Sequence, residues 1–570
     1  MPPPSLPTNP WLELLYRGVQ RRSWRDDLPA ALRSTPIQGR IDLSTTVPQT
    51  SPPKEDFQTE ISTVVRVVGQ SFVFSSGGGP SLQTVRATNP AAPVLVGRTT
   101  YGGVTPSSAV TWVSQSVASF GTLLAVALSP SDYATNAGRG IVRFYRVQAG
   151  GALTFVRDVE VGYLPDAIAF NSSGTRLVVA NEAEPNSNYS IDRPGSIGII
   201  SIAGVAGAES FSYTDLGFAG LSLPSGIRIS GPAGTSQATD IEPEYVAING
   251  NYAYVTLQEN NGVAKVNLTT RTIERIFALG SVDFSKQLVD LSDQDGPGSS
   301  QLIKPVLGSQ VLGLRMPDAI APFTIYPSTS AFRGKDYFLT ANEGDGRDYT
   351  GYSDEQRRSR LKTLKELSTA PFTAFGSRSV SLFDADNGAL LWDSGNSLQS
   401  LAIAARVYDD SRSDDKGVEP EGVVVGRLNG RTYAVVGMER TTTSMLTVFD
   451  VSTPAAPSWV TNVLLPGSLS PEGLNFVDAR QSATGRAQLQ VANEVSNSLD
   501  FLDFEALIAT PAVADAGSYA ATMLKDVPGG DSLKISSLLT NGEVTNGLQP
   551  GSSVYVAPGI FDGIDRKSTR

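Results

Sequence analysis

A short phrase recurs along this chain, and it constrains the fold more than any other feature of the sequence. Hydrophobic runs end in Ala-Asn-Glu three times, in "LVVANEAEP" (177–185), "FLTANEGDG" (338–346) and "LQVANEVSN" (489–497). Each run follows a segment that opens with proline and an acid: "LPDAIAF" (164–170), "MPDAIAPF" (316–323) and "SPEGLNFV" (470–477). Internal repetition of this kind indicates a fold assembled from similar supersecondary units.

Two more units follow the same plan with altered endings. "EPEYVAI" (242–248) leads to "YAYVTLQEN" (252–260), and "EPEGVVV" (419–425) leads to "YAVVGMER" (433–440). A third strand-like stretch follows in every unit, and a fourth often closes it. Two less regular units, at 60–98 and 107–147, have the strands without the acids. Four short antiparallel strands form one blade of a β-propeller, so the sequence predicts an all-β, seven-bladed β-propeller, with six or eight blades as alternatives.

The composition changes at both ends of the repeating region. We predict a Pro/Ser/Thr-rich N-terminal extension over 1–58, a propeller domain over 59–505, and a β-rich C-terminal tail or closing element over 506–570. One insertion, "SDEQRRSRLKTLKEL" (353–367), predicts a helix, because Ser353 and Gln356 have capping-box spacing and three leucines recur at helical intervals.

The absence of cysteine and histidine excludes whole classes of chemistry. Without cysteine there are no disulfides, thiol nucleophiles or thiolate metal sites. Without histidine there is no Ser-His-Asp catalysis and no His-ligated zinc, copper or haem. Any metal must be held by oxygen ligands, which points to calcium, magnesium or manganese, and of these we expect calcium as the cofactor. We expect no haem and no nucleotide cofactor.

Charge and hydropathy limit the expected partners and location. The 45 basic and 56 acidic residues give a net charge of −11, which argues against nucleic acid as a partner. No apolar run is long enough to predict a transmembrane segment. The N-terminal residues show no apolar region typical of a Sec signal peptide.

The acids of the repeated phrases are the candidate site. In antiparallel strands the first strand begins, and the second ends, on the same face, so both acids of a unit should lie at the mouth of a central funnel. Asp166, Glu244 and Glu259 belong to this pattern. As metal ligands we predict Glu182, Asp318, Glu343, Asp345, Asp414, Glu421, Glu439, Glu472 and Glu494.

Turn chemistry is the alternative explanation of these residues. Asparagine at a strand end commonly makes an Asx turn, and Pro-Glu-Gly is a frequent turn into a strand. Turns do not, however, require glutamate after asparagine. The recurrence of both acids over five units therefore favours a shared carboxylate site.

Several of these segments resemble a known family. "LPDAIAFNSSGTRLVVANEAEPN", "DIEPEYVAINGNYAYVTLQENNGVAKVNL", "ANEGDGRDY" and "DSRSDDKGVEPEGVVVG" are similar to the choice-of-anchor I propeller domain. The third-strand pattern in "VANEVSNSLDFLDF" is also similar to the YVTN repeats of surface-layer propellers. The resemblance, which covers roughly 60–505, implies a secreted or cell-surface protein. Some members of the family are labelled alkaline phosphatase.

Two functions remain open at this stage. The first is an extracellular or cell-surface propeller whose acidic funnel holds calcium, and which serves as a binding or structural protein with self-assembly or a cell-surface partner. The second is a calcium-dependent phosphoesterase of alkaline-phosphatase or phytase type, in which a metal-bound water attacks and Arg347 or Arg412 clamps the phosphate. Whether the chain is an enzyme is left open by the sequence.

Overall fold

The structure is a computed structural model that describes residues 37–43, 59–103, 111–136, 138–326, 334–365 and 370–509, together with the backbone of 544–545 and 555–556. The described residues between 37 and 509 belong to one compact unit.

The described strands are numbered in chain order. The first eighteen are β1 (Ile37–Asp42), β2 (Ile61–Val67), β3 (Gln70–Ser76), β4 (Ser81–Arg86), β5 (Val94–Thr100), β6 (Trp112–Phe120), β7 (Leu123–Pro130), β8 (Arg139–Val147), β9 (Leu153–Tyr163), β10 (Pro165–Phe170), β11 (Arg176–Asn181), β12 (Ser196–Ala203), β13 (Ser210–Gly217), β14 (Pro243–Asn249), β15 (Tyr252–Leu257), β16 (Gly262–Asn267), β17 (Thr272–Ala278) and β18 (Ser281–Asp283).

The remaining strands are β19 (Val311–Leu314), β20 (Ile320–Thr324), β21 (Asp336–Asn342), β22 (Asp348–Tyr349), β23 (Tyr352–Ser353), β24 (Glu355–Arg358), β25 (Leu361–Leu364), β26 (Phe372–Ala374), β27 (Ser379–Asp384), β28 (Leu390–Asp393), β29 (Pro420–Leu428), β30 (Arg431–Met438), β31 (Met445–Asp450), β32 (Ser458–Leu464), β33 (Pro471–Val477), β34 (Gln488–Asn493), β35 (Ser498–Asp503), β36 (Val544–Thr545) and β37 (Tyr555–Val556). The described α-helices are short: α1 (Tyr133–Asn136), α2 (Gln237–Asp240), α3 (Ser397–Ala404) and α4 (Phe504–Ala509).

Within the described residues, seven four-stranded antiparallel sheets follow one another along the chain. They are β2–β5, β6–β9, β10–β13, β14–β17, then β20, β21, β27 and β28, then β29–β32, and last β33–β35 with β1. The first strands contact one another in chain order, and β33 contacts β2, so these strands close a ring. The all-β prediction is confirmed, and the repeated phrases mark the first and second strands of their sheets.

The hydrophobic core is divided among the spaces between successive sheets. One cluster joins the third and fourth sheets through residues such as Val178, Ile199 and Val255. Others lie between the first and second, the second and third, the fourth and fifth, the sixth and seventh, and the seventh and first sheets. Inner strands are covered on both faces, so β7 is buried along all eight residues. The outer strand β5 instead alternates between exposed and half-buried residues, as expected for an edge strand.

The last sheet is completed by a strand from the N-terminal side of the chain. β1 pairs antiparallel with β35, with Arg40 opposite Asp500 and Ile41 opposite Leu499. This strand lies inside the predicted N-terminal extension 1–58, whereas the sequence suggested a closing strand from 506–570. Of that tail beyond Ala509, the structure describes only the backbone of β36 and β37, which pair with each other.

The predicted helix at 353–367 is wrong. Ser353 ends β23, and residues 355–364 form the hairpin β24–β25, which turns at Ser359 with a positive φ of 57°. Leu361 is buried with Phe284 and Ala374, and this contact with other segments overrides the local helical pattern. Residues 366–369, including Leu367, lie outside the described residues.

Three inserted segments come together beside the fifth and sixth sheets, at 281–314, at 345–365 with 370–378, and at 394–418, and we call them the insertion module. β19 and β26, from the first two segments, pair in parallel. Arg378, which is 2% exposed, joins the first and third, because its guanidinium donates to the backbone oxygens of Asp290, Ser413 and Asp415. The module thus stands next to the ends of the strands that carry the repeated acids. Among the described residues, no helix has both the length and the apolar character needed to cross a bilayer.

Candidate metal centre

Four of the first strands carry a bulge at the acid of the Pro-acid phrase. The pairing register shifts between Pro165 and Ile168, between Pro243 and Val246, between Pro420 and Val423, and between Pro471 and Gly473. A bulge leaves an extra residue outside the regular pairing and redirects its side chain. The acids at these bulges are Asp166, Glu244, Glu421 and Glu472.

The backbone before the proline is also unusual. Leu164, Met316, Glu419 and Ser470 all have positive φ, between 43° and 59°. Residues other than glycine adopt this conformation rarely and at some cost, so the surrounding structure must impose it. The same entry into the first strand is thus repeated in four sheets.

The asparagines of Ala-Asn-Glu have a structural role. Asn181, Asn342 and Asn493 are fully buried at the ends of second strands. Their side-chain amides donate to groups on the third strand of the same sheet, as from Asn342 Nδ2 to Ser381 Oγ at 2.8 Å and from Asn493 Nδ2 to Asp500 Oδ2 at 2.9 Å. These contacts between strands replace the Asx turn that the alternative interpretation expected.

The glutamate after each asparagine lies beside the acid of the first strand. In the fourth sheet Gln258 occupies the position of this glutamate. The residue before it, Leu257, pairs with Pro243, just as the asparagine Asn181 pairs with Pro165 in the third sheet. Its Nε2 donates to Glu343 Oε2 at 2.9 Å. Glu259, the acid that the sequence analysis paired with Glu244, comes one residue later.

The described residues contain two groups of three converging carboxylates. One oxygen each from Asp318, Glu343 and Glu421 lie within 4.8 Å of one another, and so do oxygens from Glu343, Glu419 and Glu439. Glu343 belongs to both groups. The acids of the two groups come from two neighbouring sheets. One sheet supplies acids from the start of its first strand and the end of its second strand, and the next sheet supplies acids from its own first and second strands, as antiparallel alternation requires.

Basic side chains neutralise the second group more than the first. Lys416 Nζ lies 2.5 Å from Glu343 Oε1 and 3.6 Å from Glu419 Oε2. Arg412 Nε is 2.7 Å from Glu419 Oε1, and Arg440 Nη2 is 2.7 Å from Glu439 Oε1. In the first group, Asp318 and Glu421 have no ion-pair partner among the described residues, and the buried Glu421 Oε2 has no hydrogen-bond partner there.

Burial and mutual repulsion raise the pKa values of these acids. Burial raises the pKa of Glu343 to about 8, against the opposing effect of Lys416, and raises that of Glu439 to about 7. Burial and repulsion from Glu439 and Glu472 raise the pKa of Glu421 well above its usual value. Burial, with repulsion from Glu343 and Asp166, does the same for Asp318. A bound cation would offset this repulsion.

Two residues of the funnel escaped the sequence analysis. Glu60 precedes β2, and its pKa is raised by burial and by Asp166, Glu494 and Asp318, so it faces acids of other sheets. Gln115 occupies the bulge of β6, between Ser114 and Ser116, and its Oε1 is buried without a hydrogen-bond partner in the described structure. The first unit therefore does contribute an acid. Both residues lack the preceding proline that made the other positions recognisable.

Other predicted site residues lie apart from the first group. Asp414 pairs with Arg357 at 2.6 Å and Arg360 at 3.0 Å in the insertion module. Asp345 is exposed, with Lys416 at 3.4 Å. Glu472 and Glu494 belong to the seventh sheet, where burial and repulsion raise the pKa of Glu472. Glu182 belongs to the third sheet, where burial and repulsion from Glu184 and Asp166 raise its pKa.

The two arginines proposed as phosphate ligands have different surroundings. Arg347 is 1% exposed, and its guanidinium contacts Ser230 Oγ, Asp240 O and Glu242 Oε1. It therefore joins loops in the interior. Arg412 lines a polar cavity of about 270 Å³ together with Asp345, Glu355, Lys362, Asp415 and Lys416.

Several solved structures are similar to this chain over most of its length. The periplasmic gluconolactonase PpgL of Pseudomonas aeruginosa is 15% identical, over 74% of this chain and 87% of that one, with a TM-score of 0.39. Kuenenia stuttgartiensis hydrazine synthase is 10% identical, over 80% and 98%, with a TM-score of 0.42. Drosophila Semaphorin 1b extracellular domains are 10% identical, over 82% and 87%, with a TM-score of 0.35. No curated protein matches this chain.

The family comparison covers most of the strands that carry the site. The sequence profile of the choice-of-anchor I domain matches residues 60–374 and 363–454. These ranges include both carboxylate groups, the first five sheets and three of the four strands of the sixth, and the resemblance drawn from the repeated phrases is confirmed. The chain belongs to the choice-of-anchor I domain family.

Proposed function

We propose that this protein is an extracellular or cell-surface β-propeller of seven blades that binds a divalent cation, calcium by preference, in its acidic funnel. It acts as a binding or structural protein whose cation ties neighbouring blades together. The observation that carries the proposal is the convergence of Asp318, Glu343 and Glu421 from two sheets and three strands. Family membership supports the surface location.

The chemistry of the donors fits calcium. All donors of the group are carboxylate oxygens, and calcium takes six to eight oxygen ligands at about 2.3–2.6 Å, with flexible geometry. The unpartnered Glu421 Oε2 offers a buried oxygen that the described protein groups leave unsatisfied. A buried anion without a partner is costly, and a cation that binds only the folded protein lowers that cost.

A second candidate function is a calcium-dependent phosphoesterase. It is favoured by the polar cavity, because Lys362, Arg412 and Lys416 line it close to Glu343. In this case Arg412 would bind a phosphate oxygen, whereas the burial of Arg347 makes that arginine less suited to the task. Hydrolysis of p-nitrophenyl phosphate, with and without calcium, by wild type and Arg412→Gln tests this candidate.

Calcium titration of glutamine variants tests the main proposal. Glu343→Gln and Glu421→Gln keep the size of the side chain and remove its charge, so each should weaken calcium binding at least about tenfold, or about 1.4 kcal/mol, while the fold survives. Asp386→Asn is the matched control, since the side chain of Asp386 is 78% exposed on an outer loop. Wild-type affinity in both glutamine variants, with unchanged melting in excess chelator, would overturn the proposal.

A further inference from the structure

The polar cavity of about 270 Å³ lies in the insertion module, beside the loop that follows β21. This volume is close to the lower end of the range of small-molecule sites, about 300–1,000 Å³. Six of the eight described residues that line it are charged, and the eight come from two segments of the module. The lining residues are Asp345, Gly346, Glu355, Lys362, Phe375, Arg412, Asp415 and Lys416. The cavity therefore has the size and the polarity of a site for a small hydrophilic molecule.

Contacts between the two segments fix the walls of this cavity. The backbone N–H of Lys362 donates to Asp414 O at 2.9 Å, which holds β25 against the segment that carries Arg412. Phe375 is 2% exposed and lies against Gly346, where an added Cβ would be 2.6 Å from the phenyl Cε1. The charged side chains are thus presented by walls that the protein itself holds in place.

Acidic and basic groups alternate around the cavity. Lys362 Nζ lies 2.9 Å from Glu355 Oε2 and 3.4 Å from Asp415 Oδ2. Arg412 Nη2 lies 3.1 Å from the same Asp415 oxygen. One carboxylate therefore stands between two cations, and one cation stands between two carboxylates.

This alternation restricts the chemistry of a ligand. The third cation, Lys416, lies 3.4 Å from Asp345 Oδ1, so each cation of the cavity has an acid beside it. A simple anion would be repelled by these acids, and a simple cation would be repelled by the lysines and the arginine. A hydroxyl group carries no charge, and it can donate to a carboxylate while it accepts from an ammonium or a guanidinium. The walls therefore favour a molecule with several hydroxyl groups.

Arg412 supplies a charged donor that the surrounding protein does not use. Its Nε donates to Glu419 Oε1 at 2.7 Å and its Nη2 lies beside Asp415, whereas its Nη1 makes no hydrogen bond to any described residue. The two acids hold the guanidinium in place, and the side chain is 29% exposed. A carboxylate of a ligand can accept from Nη1 while both ion pairs stay in place. The cavity thus offers one position for an anionic group among positions for hydroxyl groups.

We propose that this cavity binds a hydroxyl-rich carboxylic acid of the size of one sugar, a sugar acid, with its carboxylate on Arg412. Its hydroxyl groups lie between Lys362, Glu355 and Asp415, where each can donate to an acid and accept from the lysine. Such binding goes beyond the function proposed above and requires no metal ion, because none of these four residues belongs to either group of converging carboxylates.

Isothermal titration calorimetry of the full chain with D-glucuronate, D-glucose and sulfate tests this site. D-glucose keeps the hydroxyl groups and lacks the carboxylate, whereas sulfate is an anion without a sugar's hydroxyl groups. We expect D-glucuronate to bind wild type at least about tenfold more tightly than either of the other two. Arg412→Gln should weaken the binding of D-glucuronate at least about tenfold and bring it to the level of D-glucose. Lys365→Met, at an exposed lysine that does not line the cavity, should bind like wild type.

Four results would overturn the sugar-acid site. They are no binding of D-glucuronate by wild type, equal affinity for D-glucose, equal affinity for sulfate, and unchanged binding of D-glucuronate by Arg412→Gln. Circular dichroism checks that each variant is folded. Because Arg412 also pairs with the buried Glu419, Lys362→Met replaces Arg412→Gln if that variant does not fold, with the same expected loss.

Titrations in calcium and in excess chelator separate this site from the proposed cation. Binding of D-glucuronate under both conditions, by a protein that binds no calcium, would support the sugar-acid site and count against the proposed function alone. Calcium binding without binding of D-glucuronate would do the reverse.

Discussion

The ammonium of Lys416 lies 2.5 Å from Glu343 Oε1 and 3.4 Å from Asp345 Oδ1. The lysine belongs to the insertion module, whereas Glu343 follows the inner strand β21. The pKa of Lys416 is raised well above its usual value by Glu343, Asp345 and Glu419, against the effect of burial, so the side chain stays charged. The protein therefore supplies one fixed positive charge to this group of acids.

Removing this charge should make the protein more dependent on calcium. In Lys416→Met, Glu343 and Glu419 lose a counter-charge, so we expect a lower melting temperature in chelator and a larger rise on adding calcium than in wild type. Differential scanning fluorimetry measures both values. Lys365→Met is the control, because Lys365 is exposed and its ammonium contacts, within the described part of the chain, only the backbone oxygen of Ser353 at 3.5 Å. Equal calcium responses in the two variants would argue against competition between Lys416 and a metal ion.

The buried asparagines should matter for stability and little for cation binding. Asn493→Ala removes the donor to Asp500 and the acceptor for Ser444 Oγ at 3.0 Å, and leaves these buried groups unsatisfied. We expect a loss of about 1–3 kcal/mol in the free energy of unfolding by urea. Asn136→Ala, at an exposed residue, should cost less than about 0.5 kcal/mol. Similar losses in both variants would mean that the bond between strands contributes little.

The sequence could predict the strands because each repeat carries its own turn residues and alternation. It could also predict the position of the acids, since antiparallel pairing puts Asp318 and Glu343 on one side of the sheet whatever the details. It could not predict that β1 completes the seventh sheet, because this pairing joins residues more than 400 positions apart. The hairpin β24–β25 was missed because Leu361 packs against Phe284 from a distant insertion. Glu60 was missed because no proline precedes it.

Asp290 gives the insertion module a measurable pH dependence. Burial and repulsion from Asp410 and Asp295 raise its pKa to about 6, although the backbone N–H groups of Lys304 and Ser292 donate to it. A carboxyl whose pKa is raised on folding holds its proton longer in the folded state. The protonated carboxyl therefore contributes its full stabilisation of the folded state below about pH 4, and this stabilisation is lost as the pH rises through 6.

The asparagine variant isolates this effect. The asparagine of Asp290→Asn does not titrate. Between pH 4 and pH 7 the free energy of unfolding of wild type should therefore fall by about 2–3 kcal/mol relative to that of the variant, because the folded and unfolded pKa values of Asp290 differ by about two units. Urea unfolding at several pH values, in the presence of chelator, gives the difference between the two proteins. Asp386→Asn serves as the control with an exposed charge. A constant difference between wild type and Asp290→Asn over this range would mean that Asp290 titrates normally.

Gly344 connects the inner strand to the insertion module, and no side chain fits there. A Cβ on Gly344 would lie 2.0 Å from Gly376 N, and the residue has a φ of 89°. Gly430 has a similar φ of 80° but open space around it, so it separates the effect of the backbone angle from that of the contact. We expect Gly344→Ala to cost about 3 kcal/mol of stability, and Gly430→Ala about 1 kcal/mol.

Because the clash displaces Glu343 O, which lies next to Gly376, Gly344→Ala should also weaken calcium binding, while Gly430→Ala should leave it unchanged. Equal stability losses in the two variants, with unchanged calcium affinity, would show that the loop after β21 can move without disturbing the carboxylates.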